Sequence, residues 1–147
     1  MPVNPDYRDL FSIFNEESVE YLIVGAYAVI YYTEPRYTKD LDVFVRPTTA
    51  NAEKVYRALA RFGAPLQGVG PEAFTDPEMI YQIGVEPNRI DIIMGIAGLT
   101  FEKAVKNKEI STYGGERIPI IGKPELSLAK KKSGRKQDEL DIEKLSD

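Results

Sequence analysis

Asp40 and Asp42 stand two residues apart in a segment, residues 40–46, that alternates polar and apolar side chains. On a strand both carboxylates project from one face, while Leu41, Val43 and Val45 enter the other. Two like charges so close repel and disturb each other's pKa unless something positive lies between them. A divalent cation answers that need, because magnesium takes carboxylate oxygens at about 2.0–2.1 Å and keeps phosphate oxygens among its other ligands. The plainer reading is a pair of solvated acids at the exposed start of a strand.

Asp91 adds a third carboxylate within Ile90-Asp91-Ile92-Ile93-Met94, a run apolar enough for a strand buried on both faces. A buried carboxylate demands a hydrogen-bond donor, a cationic partner or a metal. Arg89, at i−2, offers a simple salt bridge. The alternative completes a two-metal site, in which ions about 3.5–4 Å apart clamp the attacking and leaving oxygens of a displacement.

A phosphate end lies nearby. Gly25 closes the short apolar strand Tyr21–Gly25, and Ala26 opens a run read as a buried helix, Ala26–Tyr32. Free N–H groups and the positive dipole end would favour an anion there, although a tight turn also needs glycine for geometry alone. Arg36, Thr38 and Lys39 lead into the acidic pair and either neutralise phosphate charge or form a solvated loop. Lys130, Lys131, Lys132, Arg135 and Lys136 form a dense basic cluster. Lys130 is its candidate for a triphosphate or a nucleic-acid backbone, against the reading of a solvated helix face. Asp138 and Asp141 fit capping and salt bridging beside it. Tyr37 offers a ring to a base, whereas Tyr27, Tyr31 and Tyr32 read as core.

Composition removes the competing chemistries. The chain has 147 residues, so one domain spanning 1–147 is expected. Apolar residues at 43% and charged residues at 29% suit a globular fold. With no cysteine and no histidine, disulfides, thiol nucleophiles, imidazole bases and imidazole metal ligands are excluded. A net charge of −4 argues against blanket binding of nucleic acid or membrane. Met1–Leu10 does not read as a signal peptide, and Tyr21–Tyr32 falls short of the roughly 18–20 apolar residues that span a bilayer, so a cytoplasmic protein is expected.

The elements that must position these residues follow from spacing. Tyr7, Leu10, Phe11 and Phe14 mark an opening amphipathic helix. Thr49 is the expected cap of a helix with Ala52, Val55, Tyr56, Leu59 and Ala60 as its stripe and Gly63 as its stop. Residues 64–77 read as a loop. Met79–Val85 and Arg89–Gly95 form a hairpin through Glu86-Pro87-Asn88. A weak helix at Phe101–Lys106, a strand at Gly114–Ile121 and closing helices at Lys123–Lys132 and Asp138–Leu145 complete the chain. The order α-β-α-β-α-β-β-α-β-α-α predicts an α/β (α+β) fold, a mixed sheet flanked by helices, with its core at about residues 20–121 and closing helices at about 123–145.

Val24-Gly25-Ala26-Tyr27-Ala28 followed by Arg36-Tyr37-Thr38-Lys39-Asp40-Leu41-Asp42-Val43 resembles the nucleotidyltransferase superfamily related to DNA polymerase beta. That family joins a strand ending in glycine, a helix, an acidic hxDxD strand (h apolar) and a third acid on a later strand, matched here by Asp91. The closing segment, Gly134 to Ile142, resembles the minimal and AbiEii-like branch of toxin–antitoxin systems, and the similarity covers roughly residues 20–145. The resemblance implies transfer of a nucleoside monophosphate from an NTP to an acceptor hydroxyl or phosphate on a tRNA, a protein or a small molecule. It implies Mg²⁺, or Mn²⁺, at a two-metal site of Asp40, Asp42 and Asp91, with Gly25, Ala26, Arg36, Thr38, Lys39 and Lys130 holding the nucleotide. Ala26 stands where the family often has Ser or Gly, which removes a hydroxyl contact and leaves the backbone N–H groups. The short chain implies acceptor recognition through a partner chain or a homodimer. The alternative is a non-catalytic, nucleotide-binding antitoxin or regulatory partner of the same fold.

Overall fold

The structure, a computed structural model, describes residues 3–34, 38–133 and 136–146. Asn4 accepts hydrogen bonds from the N–H groups of Asp6 and Tyr7 (2.9 and 3.3 Å) and so starts helix α1 (Pro5–Glu16), which buries Tyr7, Leu10, Phe11 and Phe14. The chain continues through β1 (Tyr21–Val24), α2 (Gly25–Tyr32), β2 (Asp40–Val45), α3 (Thr49–Phe62) and a 3₁₀ turn (Pro71–Thr75). It closes with β3 (Ile80–Ile83), β4 (Arg89–Ile93), α4 (Phe101–Ala104), β5 (Glu109–Tyr113), β6 (Glu116–Ile120), α5 (Lys123–Ser133) and α6 (Lys136–Ser146).

The six strands form one mixed sheet in the order β3-β4-β2-β1-β6-β5. β1 runs antiparallel to β2 and parallel to β6, and β2 runs parallel to β4. This is the expected α/β architecture, with helices α1 and α3 packed together and α2 lying against β1 and β2 and meeting α5 and α6. Among the described residues no helix is long and apolar enough to cross a membrane.

One strand escapes the sequence pattern. Residues 109–113 form β5, and Gly114 and Gly115 are not the start of a strand but the turn joining β5 to β6. Both glycines have positive φ (55° and 86°), the backbone that a two-residue hairpin turn requires. β5 is a sheet edge whose Ile110 is 49% exposed, so no buried apolar alternation announces it. The cap of α3 is Thr48 rather than Thr49: the Thr48 hydroxyl accepts the Asn51 N–H at 3.3 Å.

Asn51 ties three elements together from a buried position. Its side-chain oxygen accepts the Glu20 N–H (2.8 Å), and its amide donates to the carbonyls of Glu20 (3.0 Å) and Arg46 (2.9 Å). The start of β1, the end of β2 and the first turn of α3 are thereby fixed at one point.

Candidate active site

The parallel register of β2 and β4 sets Asp40 beside Arg89 and Asp42 beside Asp91. Side chains of paired residues emerge on the same side of a sheet, so the three acids and the arginine share a face. One carboxylate oxygen from each of Asp40, Asp42 and Asp91 lies within 4.8 Å of the others. Leu41 and Val43 are fully buried on the opposite face.

Arg89 serves both acids of the neighbouring strands. Its Nε donates to Asp91 Oδ1 at 2.9 Å, and its Nη2 donates to Asp91 Oδ2 at 3.1 Å and to Asp40 Oδ2 at 2.9 Å. A further ion pair joins Nη1 to Glu86 Oε1 at 3.5 Å, and Glu86 also pairs with Lys39 at 3.7 Å. The salt bridge expected from Arg89 therefore exists, and it reaches further than Asp91.

Asp42 takes no part in that network. Burial, then the charges of Asp40 and Asp91, push it up to about 7, against weaker attraction from Lys130 and Arg89. Burial also raises Asp91, opposed by its hydrogen bonds and charge pairing with Arg89. Tyr7 is pushed up to about 12 by burial, by Tyr113 and by the three acids. Its hydroxyl donates to the Arg89 carbonyl at 3.3 Å, and its ring packs edge-on against Tyr27 at 5.8 Å.

Gly25 sits where β1 turns into α2, with φ +68°. A Cβ there would overlap Asp42 Oδ2. Glycine is thus required twice, by the backbone and by the carboxylate pressed against it. Gly25 and Ala26 stand in the first turn of the helix, whose N–H groups have no acceptor within the helix, and Gly25 lies against Asp42. The Thr38 hydroxyl donates to the Asp40 carbonyl at 3.2 Å, which steadies the entry to β2, and Lys39 is exposed. Arg36, Tyr37 and Arg135 lie outside the described residues. Lys130 is buried and pairs with the fully buried Asp141 at 3.3 Å, linking α5 to α6. Its charge still reaches Asp42.

Two participants carry no sequence signal of their own. Tyr7 belongs to a helix distant along the chain, and Glu86 reads only as part of a turn. The matching spacing of Asp40-x-Asp42 and Arg89-x-Asp91 is a usable clue, since in-register parallel pairing of two such strands sets cation against acid. A cavity of about 620 Å³ opens at the other end of β1 and β2, lined in part by Glu20, Tyr21, Arg46, Phe101 and Arg117. Its Glu20 and Arg46 already neutralise each other at 3.1 Å, and the acid triad lies away from it.

Solved structures share this fold. The lincosamide antibiotic adenylyltransferase LnuA, lincomycin-bound, is 18% identical, with a TM-score of 0.60 over 99% of this chain and 98% of that one. The Thermotoga maritima protein TM1012 is 15% identical, with a TM-score of 0.64 over 97% and 94% of the two chains. ANT(2")-Ia in complex with adenylyl-2"-tobramycin is 8% identical, with a TM-score of 0.51 over 95% and 94%. No curated protein matches. A family model described as "Nucleotidyl transferase of unknown function (DUF2204)" matches residues 4–147, and the chain belongs to that nucleotidyltransferase family.

Proposed function

We propose that this nucleotidyltransferase moves a nucleoside monophosphate from an NTP to an acceptor hydroxyl or phosphate, using a divalent-metal site of Asp40, Asp42 and Asp91. The observation that carries the reading is the convergence of three carboxylates from two paired strands beside a glycine-opened helix. The residues suit Mg²⁺ or Mn²⁺. Among the described residues nothing donates a hydrogen bond to Asp42, its neutral form is favoured by burial and by neighbouring negative charge, and its Oδ2 packs against Gly25 at the start of α2. A bound divalent cation supplies charge neutralisation and alignment of the phosphates, the main needs of phosphoryl-type transfer.

In the reaction the acceptor oxygen bonds to the α-phosphorus while the bond to the pyrophosphate oxygen breaks. Asp91 takes the proton of the attacking hydroxyl, and its raised pKa suits that task. The N–H groups of Gly25 and Ala26 bind phosphate oxygens in place of a side-chain hydroxyl. Lys130, held by Asp141, adds positive potential near Asp42, and Arg36, Thr38 and Lys39 complete the nucleotide's surroundings. The acceptor class is a small molecule, as the names of LnuA and ANT(2")-Ia indicate for those proteins. A tRNA, or a protein partner in an AbiEii-like toxin–antitoxin pair, is the other acceptor class. A second reading, a non-catalytic nucleotide-binding partner protein, draws on the guanidinium already neutralising two of the acids.

The test incubates the protein with labelled NTPs, Mg²⁺ and cell extract and measures pyrophosphate release. Wild type should release it and Asp42→Asn should fall to background. Equal release by the two proteins rejects the enzyme.

A further inference from the structure

Asp91 has both oxygens engaged by Arg89, and one of the same nitrogens, Nη2, also holds Asp40 Oδ2. A single nitrogen therefore stands between carboxylate oxygens from two strands. A cation bridging those oxygens at about 2.0–2.1 Å would need the space that Nη2 fills, and would meet a like charge there. Salt bridge and metal are competitors for one position.

The arginine has somewhere else to go. Glu86 Oε1 already lies 3.5 Å from Nη1, outside the triad and half exposed. The Arg89 backbone is fixed, by its pairing with Asp40 and by the Tyr7 hydroxyl on its carbonyl, so a change of partner is a side-chain movement. No guanidinium N–H donates to Asp42, although the Arg89 charge reaches it.

On the proposed reading of the triad as a metal site, we infer that Arg89 is the resident counter-cation of the metal-free protein and gates the ion that bridges Asp40 and Asp91. That position fills when the guanidinium moves across to Glu86. Two loading events of unequal affinity follow: one at Asp42, where no guanidinium hydrogen bond has to break, and one at the Asp40–Asp91 bridge, in competition with Arg89.

Calorimetric titration of Mn²⁺ into the full chain without nucleotide tests this. Arg89→Gln should bind the bridging ion more tightly by about tenfold, within the usual range for coupling between exclusive occupants. Arg89→Lys, which keeps the charge but loses the planar fork, should also bind more tightly than wild type. Glu86→Gln, which removes the alternative partner, should bind more weakly. If wild type binds Mn²⁺ through Asp42 but neither Arg89 variant binds more tightly, the gate is overturned and the metal site stands. If none of the proteins binds Mn²⁺, the metal reading itself fails and the gate with it. Should both Arg89 variants fail to fold, an unchanged or higher affinity in Glu86→Gln overturns the gate.

Discussion

Burial beside Asp40 and Asp91 pushes Asp42 up to about 7, while an unfolded aspartate titrates near 4. The folded protein therefore holds a proton that the unfolded chain releases. The stability linked to it is complete below about pH 4 and is lost as pH rises through about 7. In metal-free melts, wild type should match Asp42→Asn most closely at low pH and fall below it across that window by roughly 2–4 kcal/mol. Curves that stay parallel from pH 5 to pH 8 would reject the assignment. Gly25→Ala should cost about 1–3 kcal/mol in urea unfolding, from the positive φ and from the displaced Asp42 carboxylate, and should reduce transfer as well. The residue types of this cluster are legible in the chain: paired acids at i and i+2, and a third in an apolar strand. The reach of Arg89 to Asp40 is not, because it depends on the register between two strands far apart in sequence.

At the level of elements, an apolar pattern marks most of the elements that form the core: helical spacing for α1 and α3, alternation for β2, and continuous apolar runs for β1 and β4. β5 lacks it because an edge strand needs neither face fully buried, and only the Gly114-Gly115 pair marks its turn. Asn51 is equally hard to read from sequence, since an asparagine in a helix looks like surface. Asn51→Leu should lower stability by about 2–3 kcal/mol, because it strands the Glu20 and Arg46 backbone groups without partners. Chemical denaturation measures the loss. A change under about 0.5 kcal/mol would mean that water replaces the amide in full.

Across the whole molecule, chemistry gathers at one end of the sheet, where β1 meets α2 and β2 and β4 begin. The closing helices lean on that end through Lys130 and Asp141, a pair buried too deeply to survive losing one charge. Asp141→Asn should cost about 3 kcal/mol or more in thermal or urea unfolding. Saturating Mg²⁺ should raise the melting temperature of wild type more than that of Asp42→Asn. Between β2 and β4 the backbone leaves the sheet, runs through α3 and passes an exposed turn at Gln67 and Gly68 before returning. Severing it at that turn would put Asp40 and Asp42 on one fragment and Asp91 on the other. Neither half would own both acids of the Asp40–Asp91 bridge, so uptake of the bridging ion by the mixture would report that the two pieces had found each other and restored the β2–β4 seam.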